Sequence, residues 1–161
     1  MRPSHRKPPF DCAQGWLQAF GIVVLLLLTS CTLERVGEQQ LLNPGAEAIY
    51  RDWHYSQAVR VDDLILVSGQ VAPGADIETQ ARGAFEKLRT VLAAGGATMD
   101  DVVELTTFHT DMTEFERFAK VKDEFFPRNY PAWTAVGVTA LVLPQAKVEV
   151  RAVAVRRSGR G

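Results

Sequence analysis

The sequence predicts an α+β sandwich: two helices on one face of a mixed β-sheet, in the order β-β-α-β-α-β-β. Three observations carry this. Residues 77–92 hold a single apolar stripe at three- and four-residue spacing. Four stretches, residues 55–71, 102–110, 132–138 and 147–156, are rich in Val, Leu, Thr and aromatic residues. Helical and strand patterns interleave, and two amphipathic helices can bury their stripes together against one sheet face.

Each element follows in turn. Residues 55–61 alternate weakly and end at Asp62-Asp63, a turn-prone pair. Leu64-Ile65-Leu66-Val67-Ser68-Gly69-Gln70-Val71 is an apolar β run, so residues 55–71 read as a hairpin. Asp76 is a candidate N-cap, with a side-chain acceptor for the free N–H groups of the helix that follows. Ile77, Ala81, Ala84, Phe85, Leu88, Val91 and Leu92 form that helix's stripe, and Gly95-Gly96 supplies the left-handed residue that ends it. Residues 102–110 form the next strand. Thr113-Glu114-Phe115-Glu116 is a candidate capping box. Phe115, Phe118, Ala119, Lys122 and Phe126 mark the second helix face, with Lys122 the flaw in it, and Pro127 stops the helix. Residues 132–138 and 147–156 close the sheet. Its second face still carries Val, Ala and Leu, which points to a symmetric oligomer.

The 161 residues, 47% hydrophobic and 23% charged, suit one ordinary domain. The N-terminus departs from it. Arg2, Arg6 and Lys7 precede an apolar run at residues 17–28, and Leu28-Thr29-Ser30-Cys31 follows. That layout is a secretory signal, too short for a spanning helix. Its end resembles a bacterial lipobox, with Cys31 as the lipidation site. The expected organisation is a signal peptide at 1–30, a tether at 31–45, a domain at 46–156 and a basic tail at 157–161. The expected location is extracytoplasmic, lipid-anchored to a bacterial membrane; Thr32 after the cysteine favours the outer membrane. Without the signal reading, the location is cytoplasmic.

Composition excludes several chemistries. Without Arg2, Arg6, Lys7 and Asp11 the formal charge of −1 becomes −3, so the chain lacks the positive footprint of a nucleic-acid binder. Arg156, Arg157 and Arg160 read as a solvated end. With Cys12 and Cys31 assigned to the N-terminal segment, no cysteine remains for disulfides or thiolate chemistry. His54 and His109 sit in no metal-ligand spacing, so no metal is expected. No phosphate-binding or dinucleotide-binding glycine motif is present, and Ser68 has no histidine base placed for it.

The residues resemble one known family. Tyr130-Pro131-Ala132-Trp133-Thr134-Ala135-Val136, then Leu143-Pro144, then Lys147-Val148-Glu149-Val150-Arg151-Ala152-Val153 look like the C-terminal signature of the Rid (YjgF) enamine/imine deaminases. Upstream, Tyr55-Ser56-Gln57-Ala58-Val59, Ser68-Gly69-Gln70-Val71, Gln80-Ala81-Arg82, residues 100–108 and Asp111-Met112-Thr113-Glu114-Phe115 are similar in the same order. The resemblance implies a chorismate-mutase-like fold, a homotrimer with clefts between subunits, and no metal or organic cofactor. It implies hydrolysis of enamines and imines to 2-oxo acids and ammonia. In such chemistry an arginine fork holds the substrate carboxylate and a glutamate positions water.

This chain departs from the family at two positions. Trp133 stands where the family keeps its substrate-binding arginine, and Arg151 where it keeps the later glutamate of the last strand; Glu149 matches the earlier one. Tryptophan offers one N–H donor and no charge, and arginine stays protonated. The candidate catalytic residues are Arg151 and Glu149, which share a strand face by the two-residue alternation. They could work as a cation and a carboxylate, or form a surface ion pair. Tyr55, Ser68, Gly69, Gln70 and Trp133 are the candidate substrate-binding residues. Three functions follow: a deaminase with reassigned residues, a small-ligand binder with Trp133 as aromatic wall, or a structural trimeric module on a membrane surface.

Overall fold

The structure is a computed structural model and describes residues 37–45 and 47–157. The expected signal segment, Cys31 and residues 158–161 lie outside those residues. The elements are β1 (Gln40–Leu42), α1 (Glu47–Asp52), β2 (Ala58–Val61), β3 (Leu64–Gln70), α2 (Ile77–Ala94), β4 (Val102–His109), α3 (Phe115–Phe125), β5 (Ala132–Gly137) and β6 (Val148–Val155). Six strands form one sheet in the order β1-β2-β3-β6-β4-β5. Only β4 and β5 run parallel. The mixed sheet with two main helices is the predicted α+β sandwich. From Ala58 onward the chain follows the predicted order β-β-α-β-α-β-β.

The apolar stripe works as its spacing demands. Ile77, Ala81, Ala84, Phe85, Leu88, Val91 and Leu92 of α2 are all buried. They meet Ile65, Val67, Leu105, Val148, Val150, Ala152 and Ala154 from the sheet. Phe85 is the hub: its ring lies 4.9 Å from Phe125, 5.7 Å from Phe118 and 5.8 Å from Phe126. Asp76 caps α2 by accepting from the Thr79 N–H at 2.8 Å, and this holds its carboxyl below the usual range. Gly96, at φ +75°, supplies the left-handed turn after the helix; Gly95 does not.

Three expectations are corrected. Thr113 is not a helix cap: Asp111 accepts from the Thr113 N–H at 2.8 Å and from its hydroxyl at 2.7 Å, and closes a 3-10 turn (Met112–Glu114) that leads into α3. Asp111 meets the free N–H groups first, so Thr113 and Glu116 have no cap to form. The expected tether holds a strand, because Leu42 is buried and Gln40–Leu42 pairs with Ala58, Val59 and Arg60. Three residues are too few to show a period, so the pattern carried no signal. Arg156 and Arg157 are not simply solvated: Arg156 pairs with Asp63 at 2.9 Å and Arg157 with Asp101 at 3.1 Å.

The sheet's second face is open. Leu64 and Leu66 of β3 and Val155 of β6 are exposed there. Among the described residues, no helix is long and apolar enough to cross a membrane.

Candidate functional site

β6 divides the site between two faces. Val148, Val150, Ala152 and Ala154 point into the core, so Glu149, Arg151, Val153 and Val155 point to the open side. Strand β4 lies antiparallel beside it, with Thr106 opposite Arg151 and Phe108 opposite Glu149. Glu104, Thr106 and Phe108 therefore share the open face, while Leu105, Thr107 and His109 share the helix side.

Glu149 is the most unusual group on the open face. Its side chain is half-buried, and it makes no hydrogen bond or ion pair among the described residues. Burial pushes its carboxyl above the ordinary value, because an ionised group loses solvation with no cation to compensate. It lies against Gly69, where a Cβ would overlap the carboxylate. That close approach is why glycine is needed there. Gly69 belongs to an irregular stretch of β3: the pairing with β6 shifts between Val67 and Gln70. Such a bulge re-aims side chains at a sheet position.

Arg151 does not pair with Glu149. Its guanidinium faces Glu104, Nη1 to Oε2 at 3.8 Å, and the Thr106 hydroxyl donates to the other oxygen of Glu104. Both side chains are partly exposed, so the pair contributes little stability.

The helix side is closed and aromatic. Trp133 sits opposite Leu105 and faces α3. Its ring stacks on Phe115 at 5.4 Å, and the Lys122 ammonium lies 4.5 Å from the ring centroid. This explains Lys122 in the helix stripe: its ammonium sits over the indole face and pairs with Asp123 at 2.7 Å. The Trp133 Nε1–H donates to the Thr107 hydroxyl at 3.0 Å, and that oxygen lies 2.9 Å from His109 Nε2. Indole can only donate, so Thr107 accepts from Trp133 and keeps its own proton for His109. That assignment makes His109 neutral and places its proton on Nδ1, which is buried without a partner among the described residues. Burial holds the His109 pKa below its ordinary value, in agreement.

The predicted site residues thus separate. Glu149 lies against Gly69 on the open face, and Arg151 shares that face but pairs with Glu104 instead. Trp133 lies behind the sheet. Gln70 turns inward, accepting from Gln57 Nε2 at 2.9 Å and donating to the Ser68 carbonyl at 2.9 Å. The Ser68 hydroxyl donates to the Ser56 carbonyl at 2.8 Å. Tyr55 is exposed, edge-on to Tyr50 with centroids 4.8 Å apart. Sequence reasoning missed Glu104, Thr106, Thr107 and His109. The signal was the alternation Glu104-x-Thr106 against Thr107-x-His109, which gains meaning only beside β6. Among the described residues, no group of three or more His, Cys, Asp or Glu side chains could hold a metal ion.

The family model described as Endoribonuclease L-PSP matches residues 45–156. The chain belongs to this family. It is similar to the RutC family protein YjgH of Escherichia coli, at 46% identity over 60% of this chain and 80% of the relative. The 2-iminobutanoate/2-iminopropanoate deaminase of Dermatophagoides farinae is 34% identical, over 63% of this chain and 84% of its own. Among solved structures, Rv2704 of Mycobacterium tuberculosis, a YjgF/YER057c/UK114 family member, matches with a TM-score of 0.70 and 32% identity, over 73% of this chain and 99% of the other. The structure of Escherichia coli TdcF with bound serine matches with a TM-score of 0.61 and 30% identity, over 64% and 88%. Some members of the family therefore carry a deaminase name, and one holds a small amino acid.

Proposed function

We propose that this protein hydrolyses enamine or imine intermediates, with Glu149 rather than Arg151 as the group that directs water. The observation that carries this reading is the Glu149 carboxylate: half-buried, unmatched by any described cation, and seated against Gly69. A carboxyl whose pKa is raised toward the working pH is a better proton acceptor than an ordinary one. Water adds to the iminium carbon, a C–O bond forms, and the C=N π pair moves to nitrogen. Glu149 takes the proton that water loses. It then returns that proton to nitrogen; the adduct's hydroxyl gives its proton to Glu149 as the C–N bond breaks, leaving a carbonyl product, and the departing ammonia carries that proton away as ammonium. The D. farinae relative, named a deaminase, supports the reaction class.

We further propose a homotrimer that covers Leu64, Leu66 and Val155, with anchoring through a lipid on Cys31 outside the cytoplasm. Sedimentation of purified protein, and labelled-palmitate incorporation into the wild type but not Cys31→Ala, test these. The endoribonuclease activity in the family's description has little footing here. His109 is buried against Thr107 and α3, and the chain carries a formal charge of −1.

The direct test generates imines in situ with an amino-acid or amine oxidase and times ammonia release. Wild type should accelerate release and Glu149→Gln should not. A second reading, small-ligand binding without turnover, draws on Trp133 and Arg151, both already engaged, by Thr107 and Glu104. It predicts ligand-dependent stabilisation with no acceleration.

A further inference from the structure

We infer that Glu104 sets the charge preference of the open face, turning it toward cationic imines that carry no carboxylate. This rests on the hydrolytic reading above and names its substrate class. The register is the starting point. Thr106 lies opposite Arg151 and Phe108 opposite Glu149, so Glu104, Arg151 and Glu149 follow one another along one face of two neighbouring strands. Glu104 is held from both sides: the Thr106 hydroxyl donates to one oxygen, and Arg151 Nη1 lies 3.8 Å from the other. Two carboxylates and one guanidinium give this face a formal charge of −1 before any ligand arrives.

A substrate carboxylate seeking Arg151 must displace Glu104 or share its guanidinium. It would also approach Glu149, two residues along the same strand and about 7 Å from Arg151 by strand rise. Like charges at that range disfavour the arrangement. An iminium or ammonium nitrogen meets the opposite situation, since Glu149 has no cation of its own among the described residues. The half-buried Phe108, across from Glu149, offers an apolar wall for an alkyl or aryl group. The second candidate anchor, Trp133, faces α3 on the far side of the sheet. The substrate class is therefore the imine formed by oxidation of an amine, hydrolysed to an aldehyde or ketone and ammonia. A 2-imino acid is the disfavoured alternative.

The test has a binding arm and a turnover arm, both on the full-length protein. Propylammonium and propanoate match in size and oppose in charge. Propylammonium should raise Tm in wild type and propanoate should not; Glu104→Gln should let propanoate stabilise. In turnover, the imine released from propylamine by a flavin amine oxidase is compared with 2-iminopropanoate. Wild type should favour the amine-derived imine at least tenfold in kcat/KM, and Glu104→Gln should narrow that ratio at least tenfold. Preference for 2-iminopropanoate, or a ratio that Glu104→Gln leaves unchanged, overturns the inference. If neither imine is turned over but propylammonium still stabilises wild type and not Glu149→Gln, the hydrolytic reading falls while the charge preference stands. Equal stabilisation by both ions overturns the charge preference.

Discussion

The two faces of the β4–β6 pair carry comparable polar groups and handle them in opposite ways. Behind the sheet, Trp133, Thr107 and the Nε2 of His109 are joined in a hydrogen-bonded chain, roofed by Phe115 and Phe118, and the unpartnered atom there is the neutral His109 Nδ1. On the open face, Arg151 and Glu104 are paired, yet Glu149 is left half-buried and unmatched. A neutral, mostly paired network packed under aromatic rings specifies packing. A desolvated charge without a partner costs stability and is kept where it has work to do. With the hydrolytic function proposed above, the contrast gives structure to the tryptophan side and chemistry to the carboxylate side.

The largest expected effect separates these roles. Glu149→Gln should reduce kcat for imine hydrolysis by roughly 10²–10⁴, the usual range for a lost general acid–base group, with the fold intact by circular dichroism. Trp133→Ala should do the reverse. It removes the stack on Phe115 and should cost about 2–3 kcal/mol in urea unfolding, below the full core value because the indole is only half-buried. Turnover per folded molecule should hold. Thr107→Val removes the hydroxyl between Trp133 and His109 and should cost about 1–3 kcal/mol, since both nitrogens lose their partner.

Smaller effects, opposite in sign, should appear in stability against pH. His109 has a depressed pKa in the fold, so its contribution is present above 6.5 and lost as pH falls through the folded value. His109→Phe should flatten that decline in thermal melts. Glu149 has a raised pKa, so its contribution is full below 4.5 and lost as pH rises through the folded value. Glu149→Gln should therefore stabilise the protein near neutrality, and the gain should vanish below pH 4.5. A Glu149→Gln gain that persists in acid would mean the carboxylate is not desolvated.

Much of the fold was legible, because α2 and its sheet partners obey simple periods. The seven-residue stripe of α2 and the alternation of β6 needed no tertiary information. Glu149 and Arg151 could be placed on one face from the two-residue alternation alone. Their partners could not. Glu104 reaches Arg151 through the pairing of β4 with β6, residues far apart in sequence, and a one-residue change of register would invert every face. Trp133 was ambiguous for the same reason: β5 alternates too weakly to choose a side, and its parallel pairing with Leu105 decides. The start of α3 was misread because Asp111 competes for the N–H groups that Thr113 was expected to cap.

The most direct test of this division is the pH dependence of kcat/KM for hydrolysis of an amine-derived imine, in wild type and Glu149→Gln. Wild type should show an acid limb with an apparent pKa above the ordinary carboxylate value of 4.5, and that limb should disappear with the activity in Glu149→Gln. An acid limb that persists in Glu149→Gln at wild-type rates would place the working group elsewhere and contradict the assignment of chemistry to the open face.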